Sequence, residues 1–114
     1  MQPSLPPPND FEMAVLRQLA RKLPALAAVI PKLRVIDRQY TPCGSYTDLD
    51  YPEEIAVVRS PIGLSELINM PGVAHGMDGL LFFKAGRPDF LEIVACGGES
   101  WDGRYEGFSI PPSA

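Results

Sequence analysis

One histidine, two cysteines and a scatter of hydroxyls and carboxylates are the groups in this 114-residue chain that could do chemistry. A catalytic histidine needs a nucleophile to deprotonate and a carboxylate to orient it. His75, in Val73-Ala74-His75-Gly76, has candidate nucleophiles in Cys43, Ser45 and Ser100 and candidate carboxylates in Asp48, Asp78 and Glu92. No Gly-x-Ser-x-Gly elbow and no recognised cysteine-enzyme context surrounds them, so His75 is expected to fix a loop. The segment Arg38–Asp48 is richer: Arg38, Tyr40, Cys43, Ser45, Tyr46 and Asp48 could together hydrogen-bond a ligand. The plainer expectation is a strand–bulge–strand whose wet face carries such residues as solvated or cross-strand partners.

Glu92 lies inside the apolar run Phe90-Leu91-Glu92-Ile93-Val94. Strand alternation sets Leu91, Ile93 and Ala95 on one face and Phe90, Glu92 and Val94 on the other. A buried glutamate needs a cation or donors, because an isolated buried charge is too costly. Arg38 and His75 are the expected partners. Trp101, the only tryptophan, stands in the flexible stretch Gly97–Gly103, either closing the core edge or exposed as a contact anchor.

Metal and cofactor motifs are missing. Two cysteines and one histidine cannot close a four-ligand zinc site within one chain. The acidic run Asp48–Glu54 lacks the glycine and spacing of a calcium loop. Gly97-Gly98 has neither the Lys-Ser/Thr nor the helix of a phosphate loop. Neither Cys43 nor Cys96 belongs to a Cys-x-x-Cys pair, and two buried thiols are expected rather than a disulfide. No catalytic residue, metal or cofactor is assigned.

These side chains need elements to hold them. Asn9 with Glu12 three residues on is a capping box. Phe11, Val15, Leu16, Leu19 and Leu23 then form an apolar stripe that Pro24 ends, and Ala25–Ile30 fits a second short helix. From Leu33 the pattern becomes strand-like, leading into Tyr40, with a second strand over Ser45–Leu49 and a third over Ile55–Val58. Leu64–Met70 fits a helical turn or a short strand. The clearest hairpin pairs Gly79–Phe83, a run expected to be buried on both faces or packed beneath a helix, with Phe90–Ala95 across Lys84-Ala85-Gly86-Arg87. Tyr105–Ile110 is expected to add an edge strand. The prediction is α+β, with one or two N-terminal helices on an antiparallel sheet of about five strands. Residues 1–8 form a Pro-rich extended lead-in and residues 9–112 a single domain.

Ten Lys and Arg against fourteen Asp and Glu give a net charge of −4, which disfavours nucleic-acid and anionic-membrane partners. No apolar run approaches the ~18 residues of a membrane helix, and Met1–Pro8 has no secretory-signal character. The cytoplasm is the expected compartment.

Two stretches together resemble a group of small, uncharacterised bacterial proteins. One is Arg38-x-Tyr40-Thr41-x-x-Gly44-x-Tyr46-Thr47-Asp48; the other is His75-Gly76-x-x-Gly79-Leu80-Leu81-Phe82-Phe83-Lys84-x-Gly86, continuing through Leu91-Glu92 to Trp101. The resemblance covers roughly residues 33–103, with departures at Pro42-Cys43 and Val94-Ala95-Cys96. It implies a compact α+β domain, with some such proteins looking like immunity or accessory proteins, and it carries no catalytic residues. The resulting expectation is a non-enzymatic protein-binding domain whose partner is another protein or a second copy, with Arg38, Tyr40, Cys43, Tyr46, His75, Glu92 and Trp101 as contact residues. The alternative is a small-molecule binder or small enzyme with a pocket near Tyr40, Cys43, His75 and Glu92.

Overall fold

The computed structural model describes residues 4–57 and 59–111. Helix α1, Asp10–Leu19, begins as the capping box requires: the Glu12 N–H donates to Asn9 Oδ1 at 2.8 Å and the Asn9 N–H donates to Glu12 Oε1 at 2.9 Å. Its apolar stripe is fully used, with Phe11, Val15, Leu16 and Leu19 buried. Each such side chain contributes about 1.5–3 kcal/mol relative to exposure. The chain leaves α1 before Pro24, so Leu23 packs on the core from a turn rather than from the helix. A short α2, Leu26–Val29, and a 3₁₀ turn at Ile30–Lys32 add Leu26, Val29 and Ile30 to the same core.

Six antiparallel strands follow among the described residues: β1 (Arg34–Thr41), β2 (Gly44–Asp50), β3 (Ile62–Gly63), β4 (Ile68–Met70), β5 (Val73–Lys84) and β6 (Arg87–Ala95). They are ordered β1-β2-β6-β5, with β3 and β4 both pairing the outer side of β5. The α+β class and antiparallel sheet agree with expectation. The β5–β6 hairpin turns at Ala85-Gly86, both at positive φ (53° and 77°). That is the twist a two-residue hairpin favours, obtained here with some strain at Ala85.

Two expected strands do not form. Residues 55–57 are loop, passing the hairpin tip where the Ile55 N–H donates to the Gly86 carbonyl at 2.8 Å; Val58 lies outside the described residues. A β-branched run bounded by prolines looks like a strand, but its backbone meets a turn rather than a ladder. The Tyr105–Ile110 strand reduces to one bridge, Asn69 with Ser109, because Gly107 turns the segment at φ 81°. Of the lead-in, residues 1–3 are outside the described set, while the Pro6 carbonyl accepts the Val35 N–H at 2.7 Å on the outer rim of β1.

One irregularity matters for everything on β1. The β1–β2 register shifts between Val35 and Asp37, so Val35 faces Leu49 while Arg38 faces Thr47. Strict alternation would place Arg38 on the side opposite Val35. The bulge instead brings Arg38 to the helix side.

Candidate functional site: the uncovered sheet face

Register across the strands decides which side chains share a face. On the helix side run Arg38–Thr47–Leu91–Leu81–Ile62 and Ser45–Ile93–Gly79. Gly79 is where α1 sits down, since a Cβ there would lie 2.7 Å from Val15 Cγ1. On the other side run Gln39–Tyr46–Glu92–Leu80 and Asp37–Asp48–Phe90–Phe82, with Val94 beside Asp78. Tyr46, Leu80, Phe82, Phe90 and Val94 do not belong to the core cluster. The molecule is 20 Å through its shortest dimension, the depth of one helix layer on one sheet. Among the described residues, no helix covers this second face. The Gly79–Phe83 run is therefore not buried on both sides, because Leu80 and Phe82 point away from α1.

The uncovered face combines rings with negative charge. Phe82 stacks on Phe90 at 4.4 Å between centroids, and Tyr46 lies 6.0 Å from Phe90. Glu92 occupies the middle, between Tyr46 on β2 and Leu80 on β5. Its carboxylate, hydrogen-bonded to the Tyr46 hydroxyl, pushes that phenol above its ordinary range. Burial and the nearby Glu92 push the Asp78 carboxyl up, against the Gly79 N–H and Lys22, which favour its charged form. The rows carry Asp37, Asp48, Asp78 and Glu92, while the cations of this side stand toward its ends, Lys84 opposite Arg87 by the hairpin turn and Arg34 opposite Asp50, with Lys22 near Asp78. Four carboxylates around an aromatic centre are suited to a cationic surface.

Arg38 is not the partner of Glu92. It donates to Glu12 twice, Nε to Oε2 at 2.8 Å and an Nη to Oε1 at 2.6 Å, and the Thr47 hydroxyl donates to Glu12 Oε2 at 2.5 Å. Burial alone would raise the Glu12 pKa, but the donors Arg38, Thr47 and the Asn9 backbone together hold it below the ordinary glutamate value. The capping glutamate of α1 is thereby also the anchor of β1. Beside it, Phe11 gathers Trp101, Tyr105 and Phe108 at 4.9–6.4 Å between centroids. Tyr40 joins them through its hydroxyl, 2.7 Å from that of Tyr105. Trp101 is buried in this cluster and its indole N–H donates to the Arg104 carbonyl at 3.1 Å, so it closes the core edge.

His75 goes elsewhere again. It is exposed, and its Nδ1 lies 3.0 Å from Glu99 Oε2. The Glu99 carboxylate also accepts the Ala74 N–H at 3.1 Å and the His75 N–H at 2.8 Å. Those donors, the His75 N–H foremost, hold Glu99 below the ordinary glutamate range against the opposing effect of desolvation. A carboxylate in a Gly-rich segment had no sequence signal marking it as the clasp at the start of β5. A pKa lowered in the folded state means the clasp is fully present above the ordinary 4.5 and is lost as pH falls through the lowered value. Amide hydrogen exchange at Ala74 and His75 is expected to quicken several-fold in Glu99→Ala, with Leu81 unchanged; equal protection in both proteins would disprove the clasp.

Cys43 and Cys96 are free, as expected, but half-buried rather than buried. Cys43 caps the β1–β2 turn, where its carbonyl accepts the Ala95 N–H at 2.7 Å. The expected contact residues thus fall into separate groups. Arg38, Tyr40 and Trp101 surround the start of α1, Tyr46 and Glu92 share the uncovered face, and His75 sits with Glu99. The hydrogen bonds and ion pair of His75 go to Glu99, and none joins it to Tyr40, Cys43 or Glu92 among the described residues. Among these residues no group of three or more histidines, cysteines or carboxylates is placed to hold a metal ion. No family model matches the chain, and no curated protein or solved structure matches it significantly.

Proposed function

We propose that this protein is a binding module that docks a basic protein surface on the uncovered face of its sheet. The observation that carries the reading is the Phe82–Phe90–Tyr46 cluster with Glu92 between Tyr46 and Leu80, so that the cross-strand partners of the central carboxylate carry no positive charge. Aromatic side chains supply contact area at low entropy cost, and carboxylates around them select for lysine and arginine. An immunity-like or accessory role is one form such docking takes. The carboxylates at the middle of the face oppose stacking of two copies centre to centre.

A second copy fits a different place. Ile36 and Tyr40, 57% and 54% exposed, are the most exposed large apolar residues among those described, and both lie on the edge strand β1. Edge pairing there would leave the acidic face free.

The test uses a 12-residue peptide rich in lysine and arginine, together with its glutamate counterpart, titrated into the ¹⁵N-labelled protein. The basic peptide is expected to shift amides of Tyr46, Leu80, Phe90, Glu92 and Val94. Glu92→Lys is expected to weaken it by roughly tenfold or more, the cost of about 1.4 kcal/mol when a like charge replaces an attractive one. Equal shifts with the acidic peptide, or shifts confined to other surfaces, would overturn the reading.

A further inference from the structure

We infer that the notch where the C-terminal segment crosses the start of α1 is a site for an alkylated ammonium group. A cavity of about 400 Å³ opens there, lined by Asn9, Asp10, Phe11, Tyr105, Glu106, Gly107 and Phe108. That volume lies within the ~300–1,000 Å³ usual for small-ligand sites. Its walls are the half-buried rings of Tyr105 and Phe108 above the buried Phe11, and its only charged residues are two carboxylates, Asp10 and Glu106. Aromatic faces attract cations through the ring quadrupole, and methylated ammonium groups gain most because they shed little water on entering.

The walls are held before any ligand arrives. Phe11 meets Phe108 edge-to-face at 4.9 Å and 87°, and Tyr105 at 5.2 Å and 41°, so the rings brace one another. The Tyr105 hydroxyl is fixed by that of Tyr40 at 2.7 Å. Burial keeps this phenol protonated well above its ordinary range, so it adds no charge of its own. Gly107, at φ 81°, makes the turn that sets Tyr105 and Phe108 on either side of Glu106. Such bracing removes the ordering cost that a floppy cage would impose on binding.

A helix start ordinarily favours anions. Here the chain fills that end with its own acids. Glu12 accepts the Asn9 N–H and is neutralised by Arg38, while Asp10 stands exposed in the first turn. No arginine or lysine lines the cavity to receive an anion. The place is on the helix side of the sheet, distinct from the uncovered face, and it does not depend on the docking reading.

Two sources share this chemistry, a free choline-like molecule and a trimethylated lysine on another protein. The experiment titrates choline, 3,3-dimethyl-1-butanol and a trimethyl-lysine peptide into the ¹⁵N-labelled full chain. The dimethylbutanol is choline's neutral carbon isostere. Choline is expected to shift the amides of Asp10, Phe11 and Tyr105–Phe108 saturably, with the isostere weaker by about fivefold, in line with ~1 kcal/mol for a cation on exposed rings. The double variant Asp10→Asn, Glu106→Gln, both surface positions, is expected to weaken choline while lowering the melting temperature by no more than the few degrees that a first-turn carboxylate contributes. Tighter binding of the peptide than of choline identifies a protein source, and the reverse a free cation; either supports the site. Equal binding of choline and its isostere, an unaffected double variant, saturable acetate binding at these amides, or no shift at all would overturn it. Shifts from the lysine- and arginine-rich peptide confined to Tyr46, Leu80 and Glu92 would leave the two sites separately judged.

Discussion

Arg38→Met is expected to lower the stability of the protein by about 3 kcal/mol, or about 12 °C in Tm at ~4 °C per kcal/mol for a chain of this size. The cause is less the lost attraction than the charge left behind. Glu12 is 1% exposed, and without the guanidinium its carboxylate keeps only Thr47 and the Asn9 N–H as donors. Removing both charges together, as Glu12→Leu with Arg38→Met, is expected to recover much of the loss, because a matched apolar pair leaves no buried charge unpaired. Thermal melts of the two singles and the double form a cycle that isolates the coupling. A single variant no worse than the double would disprove the pairing argument.

The pH dependence carries the same signature. In the native protein Glu12 lies below its ordinary 4.5, so its contribution is present above that pH and is lost as pH falls through the lowered value. Without Arg38, burial dominates and the Glu12 pKa rises. Protonation then relieves the variant, so the gap in Tm between native protein and Arg38→Met is expected to narrow on acidification. A constant gap across that range would mean the residue acts through packing alone.

Gly44→Ala is the second large effect, and its reason differs. A Cβ at Gly44 would stand 1.8 Å from the Ile93 carbonyl oxygen, 2.9 Å from the Ile93 carbonyl carbon and 3.0 Å from Val94 Cα. All three are backbone atoms, so no rotamer change makes room. β2 and β6 must part at this end, breaking the Ala95 N–H bond to the Cys43 carbonyl. The cost is expected to reach about 3 kcal/mol, the upper range for overpacking, measured by denaturant unfolding. Gly98→Ala is the control: nothing lies within 4 Å of its added Cβ, and only the left-handed φ of 72° opposes it, at about 1 kcal/mol. A Gly44→Ala protein as stable as Gly98→Ala would show that the strands do not approach so closely.

Gly44 also illustrates what local reading can recover. Beside Pro42 and Cys43 it looks like a turn glycine, yet its φ is not left-handed and its need is for space against a strand some fifty positions on. Features written within a few residues were legible: the Asn9–Glu12 capping box, the α1 stripe, the β5–β6 hairpin, and the alternation placing Glu92 with Phe90 and Val94. What failed depended on partners remote in sequence. The capping box explains Glu12 so fully that nothing local announces its bond to Arg38, and the bulge that makes that bond possible has no signal in the alternation of Leu33–Tyr40. The Gly79–Phe83 run fitted two buried faces or a place beneath a helix, since an apolar run does not say which of its faces receives a helix, and the second holds. The uncovered face became visible only once four strands lay in register.

Phe11 touches Trp101, Tyr105 and Phe108, so the first turn of α1, inside the capping box, is completed by residues about ninety positions later. During synthesis α1 and the β1–β2 ribbon emerge early, and the Glu12–Arg38 pair can form while the rest is still being made. The aromatic closure cannot. Such distant contacts must overcome the entropy of closing a long loop before they return any energy. A nascent chain that has not yet reached Trp101 therefore carries Phe11 without its cover, and that interval ends only when the aromatic segment closes over the ring. Trp101, the only tryptophan, reports the end of that interval by its own fluorescence.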